Sequence, residues 1–145
     1  MASHSKAGRN LPYPTVVWFG PPGVGKSTFI QKVGGFDLEH FPTRQARDDY
    51  IFAGWLRVYE HVGAADTSPS QYDPEFYTRI LVLPPRSIYD RRRKRRDSRN
   101  AAKRRQGDYY DAFNRNRTSF DYVVADFPDL SNVDVFIRRL SRQAT

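Results

Sequence analysis

The segment Gly20-Pro21-Pro22-Gly23-Val24-Gly25-Lys26-Ser27-Thr28 constrains this chain more than any other. An apolar run, Thr15-Val16-Val17-Trp18-Phe19, precedes it, and a stretch of helical character, Ser27 to Val33, follows. In the order strand, glycine-rich loop, helix, the N–H groups of the loop and of the helix N-terminus converge on one anion. Glycine allows the close approach, because a Cβ would hold the backbone off the ligand. Lys26 then offers a point charge to β- and γ-phosphates, and Ser27 a hydroxyl to Mg2+. The expected ligands are ATP, or another nucleoside triphosphate, and Mg2+, held by Gly20 to Thr28.

The rest of the chain alternates short apolar runs with helical ones. Phe36 to Phe41 alternates apolar and polar and predicts a second strand, broken by Pro42. Thr43 to Trp55 predicts a helix, with Ala46, Tyr50, Ile51 and Trp55 at helical spacing. Leu56 to Ala65 predicts a third strand, Arg79 to Leu83 a fourth and Phe120 to Ala125 a fifth. Arg86 to about Phe113 predicts a helix broken near Gly107. In the terminal helix Ser131 is the expected N-cap, with Asp134 three residues on and Leu130 and Val135 as a hydrophobic staple. This order implies one α/β domain over residues 13–145: three layers, a parallel five-stranded sheet with helices on both faces, of the P-loop NTPase type with a basic helical lid at about 86–113. Residues 1–12 are expected to form a flexible tail.

Charge is concentrated in one place. The net charge is +8, yet residues 91–105 hold ten Lys or Arg against one Asp. That segment alone carries +9, so the remainder sums to −1. A local cluster of this kind meets a local polyanion. DNA binding through 91–105 is therefore one expectation, and closure over the phosphates of a bound nucleotide another. The chain has no cysteine, which excludes disulfides and thiolate metal sites and suits a cytoplasmic location. His4, His40 and His61 show no metal-ligand spacing. No apolar run approaches the roughly 20 residues of a membrane span, so no membrane partner is expected. Oligomeric state is open.

From residue 15 to residue 140 the chain resembles the nucleoside monophosphate kinase-like P-loop kinases, at the compact end of that group. The resemblance rests first on GPPGVGKST, Gly20 to Thr28. Its second part is RILVLPP followed by Tyr89, Arg92 and Arg96, then Lys103-Arg104-Arg105 and Asp108-Tyr109-Tyr110. Its third is FDYVVADF and the terminal amphipathic helix. Such kinases carry a lid after the fourth strand whose arginines hold the phosphates, which implies that role for Arg92 and Arg96. Asp66-Thr67-Ser68-Pro69 stands where they carry Asp-Gly-x-Pro-Arg. The Gly and the Arg are missing here, so the resemblance does not carry the family's substrate-phosphate contact over to this point.

Phosphoryl transfer needs positioned charge more than covalent chemistry. Lys26 and the loop amides are expected to hold the donor. Asp66, after the third strand, is expected to orient Mg2+ or its water alongside Ser27. Asp37 and Glu39, two apart, are expected on one strand face, accepting a proton from a substrate hydroxyl or holding the metal. The resemblance to hydroxyl-directed kinases, such as shikimate kinases and the kinase domain of polynucleotide kinases, favours that use, with Asp37 as the base. Arg44 and Arg47 are expected to hold an acceptor phosphate. Tyr109, Tyr110 and Phe113 are either core or lid-hinge aromatics or base-stacking platforms.

Three functions follow, in order. The first is an ATP-dependent phosphotransferase acting on a nucleotide or nucleoside. The second is a kinase acting on a nucleic acid hydroxyl, a 5′-hydroxyl or a hydroxymethyl-pyrimidine as in viral DNA modification. The third is a nucleic-acid-binding NTPase without a separate acceptor.

Overall fold

A computed structural model describes residues 13–97 and 103–144, with the side chains of 13–92 and 109–140. Five strands form one parallel sheet in the order β2-β3-β1-β4-β5. They are β1 (Thr15–Phe19), β2 (Phe36–Asp37), β3 (His61–Ala64), β4 (Tyr77–Val82) and β5 (Tyr122–Val124). The α-helices are α1 (Lys26–Lys32), α2 (Arg44–Phe52), α3 (Arg86–Asp97), α4 (Lys103–Arg115) and α5 (Val133–Ala144).

The central strand shows why helices cover both faces. Successive residues of β1 are all buried, because alternate side chains serve two cores. Val17 and Phe19 join Ile51 of α2 and Phe113 of α4. Val16 and Trp18 join Phe29 and Ile30 of α1 and Val133 and Ile137 of α5. The crossover through α1 runs toward β2, and those through α2 and through α3 and α4 run toward β5. A single right-handed sense then puts α1 on one face and α2 and α4 on the other, as observed. The expected parallel five-stranded α/β sheet with helices is present.

Local structure departs from expectation where the chain is short of apolar pattern. The second strand is only Phe36–Asp37, because the Asp37 side chain accepts from the Glu39 amide at 3.0 Å and turns Leu38–His40 into a 3-10 helix. Asp37 and Glu39 therefore do not share a strand face. Gly54, at φ 83, stops the second helix before Trp55. Trp55–Val58 is a 3-10 turn, leaving β3 four residues. Helix α4 continues through Gly107, where a break was expected. Ser131 lies inside a 3-10 turn rather than capping α5, and Leu130 and Val135 are each about half exposed. Asp134 accepts instead from the Tyr13 hydroxyl at 2.8 Å. The tail expected over 1–12 lies outside the described residues.

Parallel strands end together. Phe19 is in register with Ala64 and Leu81, so Gly20, Ala65 and Leu83 emerge at one edge of the sheet. Connections leave β1 toward β2 and β4 toward β5, and this divergence opens a crevice at the carboxyl ends.

Candidate functional site

The glycine-rich loop occupies that crevice. Gly23 and Gly25 take φ of 88° and 96°, a region costly to any residue with a Cβ, and Gly25 is the N-cap of α1. The Val24 amide donates to the Pro21 carbonyl at 3.2 Å, folding the loop back on itself. Because α1 starts at Lys26, its first unpaired N–H groups face the loop mouth. Lys26 is 7% exposed and extends along the ends of β1 and β3. Its ammonium donates to the Ala64 carbonyl at 2.8 Å and pairs with Glu39.

Asp37 ends the short β2 beside the loop and is 5% exposed. One carboxylate oxygen accepts from the Ser27 hydroxyl at 2.9 Å, the other from the Glu39 amide. Asp37 thus meets the hydroxyl expected to bear Mg2+, the position expected of Asp66. Ser27 and Asp37 are hard oxygen donors, and Mg2+ binds through one or two such groups plus phosphate oxygens. The pair fits that ion. Among the described residues no group of three or more His, Cys, Asp or Glu forms a protein-only metal cage.

Asp66 has other partners. It pairs with Arg47 at 3.3 Å and accepts from Gln71 and from the Tyr72 hydroxyl. Burial, and next the Asp66 charge, push the Tyr72 phenol well above its ordinary value, so it stays a donor. Arg47 also reaches Asp48 at 3.1 Å. Burial pulls the Arg47 pKa down, but Asp66 and Asp48 more than offset this, and it is raised. Arg44, one turn earlier on α2, is exposed and makes no ion pair among the described residues.

Two cavities open on this arrangement. One, of about 400 Å3, is walled by the loop from Gly20 to Thr28 with Lys26 and Ser27. The other, of about 450 Å3, lies over Leu38, Phe41, Thr43, Arg44, Arg47 and Asp66. Glu39, Ala65 and Tyr109 line both, so the cavities share a wall.

Helix α3 is tied to the loop by a contact that pattern reading missed. Tyr89 is 1% exposed, and its hydroxyl donates to the Pro22 carbonyl at 2.5 Å. Its ring lies 4.9 Å from that of Tyr110. A tyrosine within an arginine-rich helix was the available signal. Arg92 reaches Asp126, beyond β5, at 3.5 Å rather than a cavity wall. Arg96 and most of the basic run have side chains outside those described.

No protein-family model matches the chain, and no curated protein matches it. Among the described residues no helix is long and apolar enough to cross a membrane.

Proposed function

We propose that this protein is a P-loop kinase, an ATP- or NTP-dependent phosphotransferase that moves the γ-phosphate to a hydroxyl or phosphate of a nucleotide or nucleoside. The observation that carries this reading is the shared wall. A loop suited to phosphates opens into one cavity, a second cavity adjoins it, and a carboxylate and a buried lysine stand where they meet. An NTPase without an acceptor has no need of the second cavity.

In this reading the loop amides and Lys26 hold the donor phosphates, and Lys26 exchanges the Glu39 carboxylate for phosphate oxygens. Mg2+, when bound, neutralises charge developing on the β- and γ-oxygens. Ser27 and Asp37 would hold it. Asp37 is committed to Ser27 and the ion and lines neither cavity, so Glu39, which lines both, is the better base. The acceptor oxygen bonds to the γ-phosphorus as the bond to the β–γ bridging oxygen breaks, and the acceptor proton passes to Glu39. Asp66 holds Arg47 across the floor of the second cavity.

ADP release from ATP and Mg2+ is measured against mononucleotides, nucleosides and DNA oligomers bearing 5′-hydroxyl or hydroxymethyl-pyrimidine groups. Stimulation by a member of the panel, abolished by Lys26→Ala with the fold intact, is expected. Normal turnover by Lys26→Ala would sink the site assignment. One observation favours a nucleic acid acceptor as the second reading: α4, whose Tyr109 lines the shared wall, begins within the +9 segment.

A further inference from the structure

Tyr109 is left unexplained by the fold. Helix α4 places three aromatic residues within five positions, Tyr109, Tyr110 and Phe113. Two belong to the protein interior. Tyr110 is 7% exposed, with its hydroxyl on the Pro84 carbonyl at 2.5 Å. Phe113 is 1% exposed and packs near Phe120, ring centroids 6.3 Å apart. Tyr109 is 46% exposed and makes no ring contact or hydrogen bond among the described residues. It lines both cavities.

Its surroundings narrow what the ring is for. Across the second cavity stand Leu38, Phe41 and Pro42, an apolar wall unsuited to a polyol. At the cavity's edge Arg44 is a cation without an ion-pair partner among the described residues, whereas Arg47 has two carboxylates. An exposed aromatic face, an apolar wall and one unpaired guanidinium complement a flat heterocycle joined to an anion. Base stacking on an aromatic side chain contributes substantially and tolerates any base.

Resting on the phosphotransferase reading, we propose that the second cavity takes an acceptor bearing a nucleobase and a phosphate. Its base stacks on Tyr109, its phosphate meets Arg44, and its reacting group lies toward Glu39. Tyr109 is thus a specificity-determining residue that acts on binding. Either a free mononucleotide or the terminal residue of a single strand carries this chemistry.

The test uses the whole protein and two fluorescent probes, 2-aminopurine riboside monophosphate and a ten-residue single strand with 2-aminopurine at its 5′ end. Binding is followed by fluorescence quenching without ATP, and binding of a non-hydrolysable ATP analogue is measured in parallel. Tyr109→Ala should weaken binding of at least one probe roughly five- to a hundredfold. Tyr109→Phe should bind the probes within about twofold of the parent, and Tyr109→Ala should lose less affinity for the analogue than for the probe. In turnover, Tyr109→Ala should raise KM for the acceptor more than KM for ATP, with kcat changed less than either. Preference for the monophosphate identifies a free nucleotide, and preference for the oligomer a strand end. Undiminished probe binding by Tyr109→Ala overturns the proposal. So does a protein that binds the analogue but neither probe, which leaves the phosphate-loop reading standing. Failure to bind the analogue as well removes both.

Discussion

Glu39 and Asp37 sit two residues apart and differ in what is left for chemistry. Both Asp37 oxygens are spoken for, by Ser27 and by the Glu39 amide, and the group is buried. Glu39 is 38% exposed, and among the described residues its ion-pair partner is a lysine that phosphates can reclaim. Glu39→Gln should therefore lower kcat by about 10²- to 10⁴-fold, the usual contribution of a general base, with little change in thermal midpoint. Asp37→Asn should instead raise the Mg2+ concentration needed for half-maximal rate, and should lower the midpoint because a buried acceptor is exchanged for a donor. Equal kcat losses with unchanged Mg2+ dependence in both variants would refute this division of labour.

A second residue-scale prediction concerns His61, buried at the start of β3, away from the cavities. Trp18 Nε1 donates to its Nδ1 at 3.1 Å, so that nitrogen is unprotonated. Its Nε2 meets the Tyr13 hydroxyl at 3.2 Å, which itself donates to Asp134. Nε2 must then carry the proton. Burial lowers the His61 pKa, with Glu60 and Asp134 only partly opposing, while the unfolded chain keeps the ordinary value near 6.5. The unfolded state thus takes up the proton first. His61's contribution to stability is complete above about pH 6.5 and is lost as pH falls through that value toward the folded pKa. Denaturant midpoints between pH 7.5 and 5.5 should show a slope that His61→Gln reduces. A variant keeping the full slope would place the titration elsewhere.

At the scale of elements, ends are set by single side chains and glycines. Thr43 caps α2 by accepting from the Ala46 amide at 3.1 Å. Thr43→Ala should cost about 1 kcal/mol by chemical denaturation. Helix α1 ends in a Schellman motif, the Gly34 and Gly35 amides donating to Gln31 and Ile30 at 3.2 and 2.9 Å. Gly35 also lies so close to β3 that a Cβ would stand 2.5 Å from the His61 carbonyl. The link between α3 and the loop makes a sharper prediction. Tyr89→Phe removes one buried hydroxyl donor and should cost about 1 kcal/mol, raising the KM for ATP more than that for the acceptor. An unchanged KM for ATP would mean that α3 does not position the loop.

The long apolar runs of β1 and β4 and the glycine-rich loop were legible in the chain, as were the approximate positions of α1, α2 and α5. The short elements were not. Phe36 to Phe41 alternates as a strand would, but Asp37 caps a 3-10 turn and takes its carboxylate out of the alternation. Residues 56–60 carry enough Leu, Val and Tyr to resemble a strand, yet Gly54 starts a turn, Trp55–Val58, that takes the first three of them.

At the scale of the molecule, the sheet carries two separate cores. Phe113 lies in one and Ile137 in the other, both essentially inaccessible. Phe113→Ala should cost about 3–5 kcal/mol and Ile137→Ala about 2–5 kcal/mol. The double variant should be close to additive, since the two lie in separate core clusters. A large coupling energy in the cycle would show strain passing through β1.

The sequence by itself determined the alternation of strands and helices, the loop after β1 with Lys26 and Ser27, and the +9 segment, because each is written in contiguous residues. Only the tertiary structure decided which groups meet. Parallel register brings Ala64 under Lys26, and the turn after β2 swings Glu39 to the shared wall. Arg47 folds onto Asp66, and α4 turns one aromatic of three away from the core. The pairs Lys26–Glu39, Arg47–Asp66 and Lys26–Ala64 lie 13, 19 and 38 residues apart, and their distances follow from how the sheet and helices pack, not from spacing along the chain.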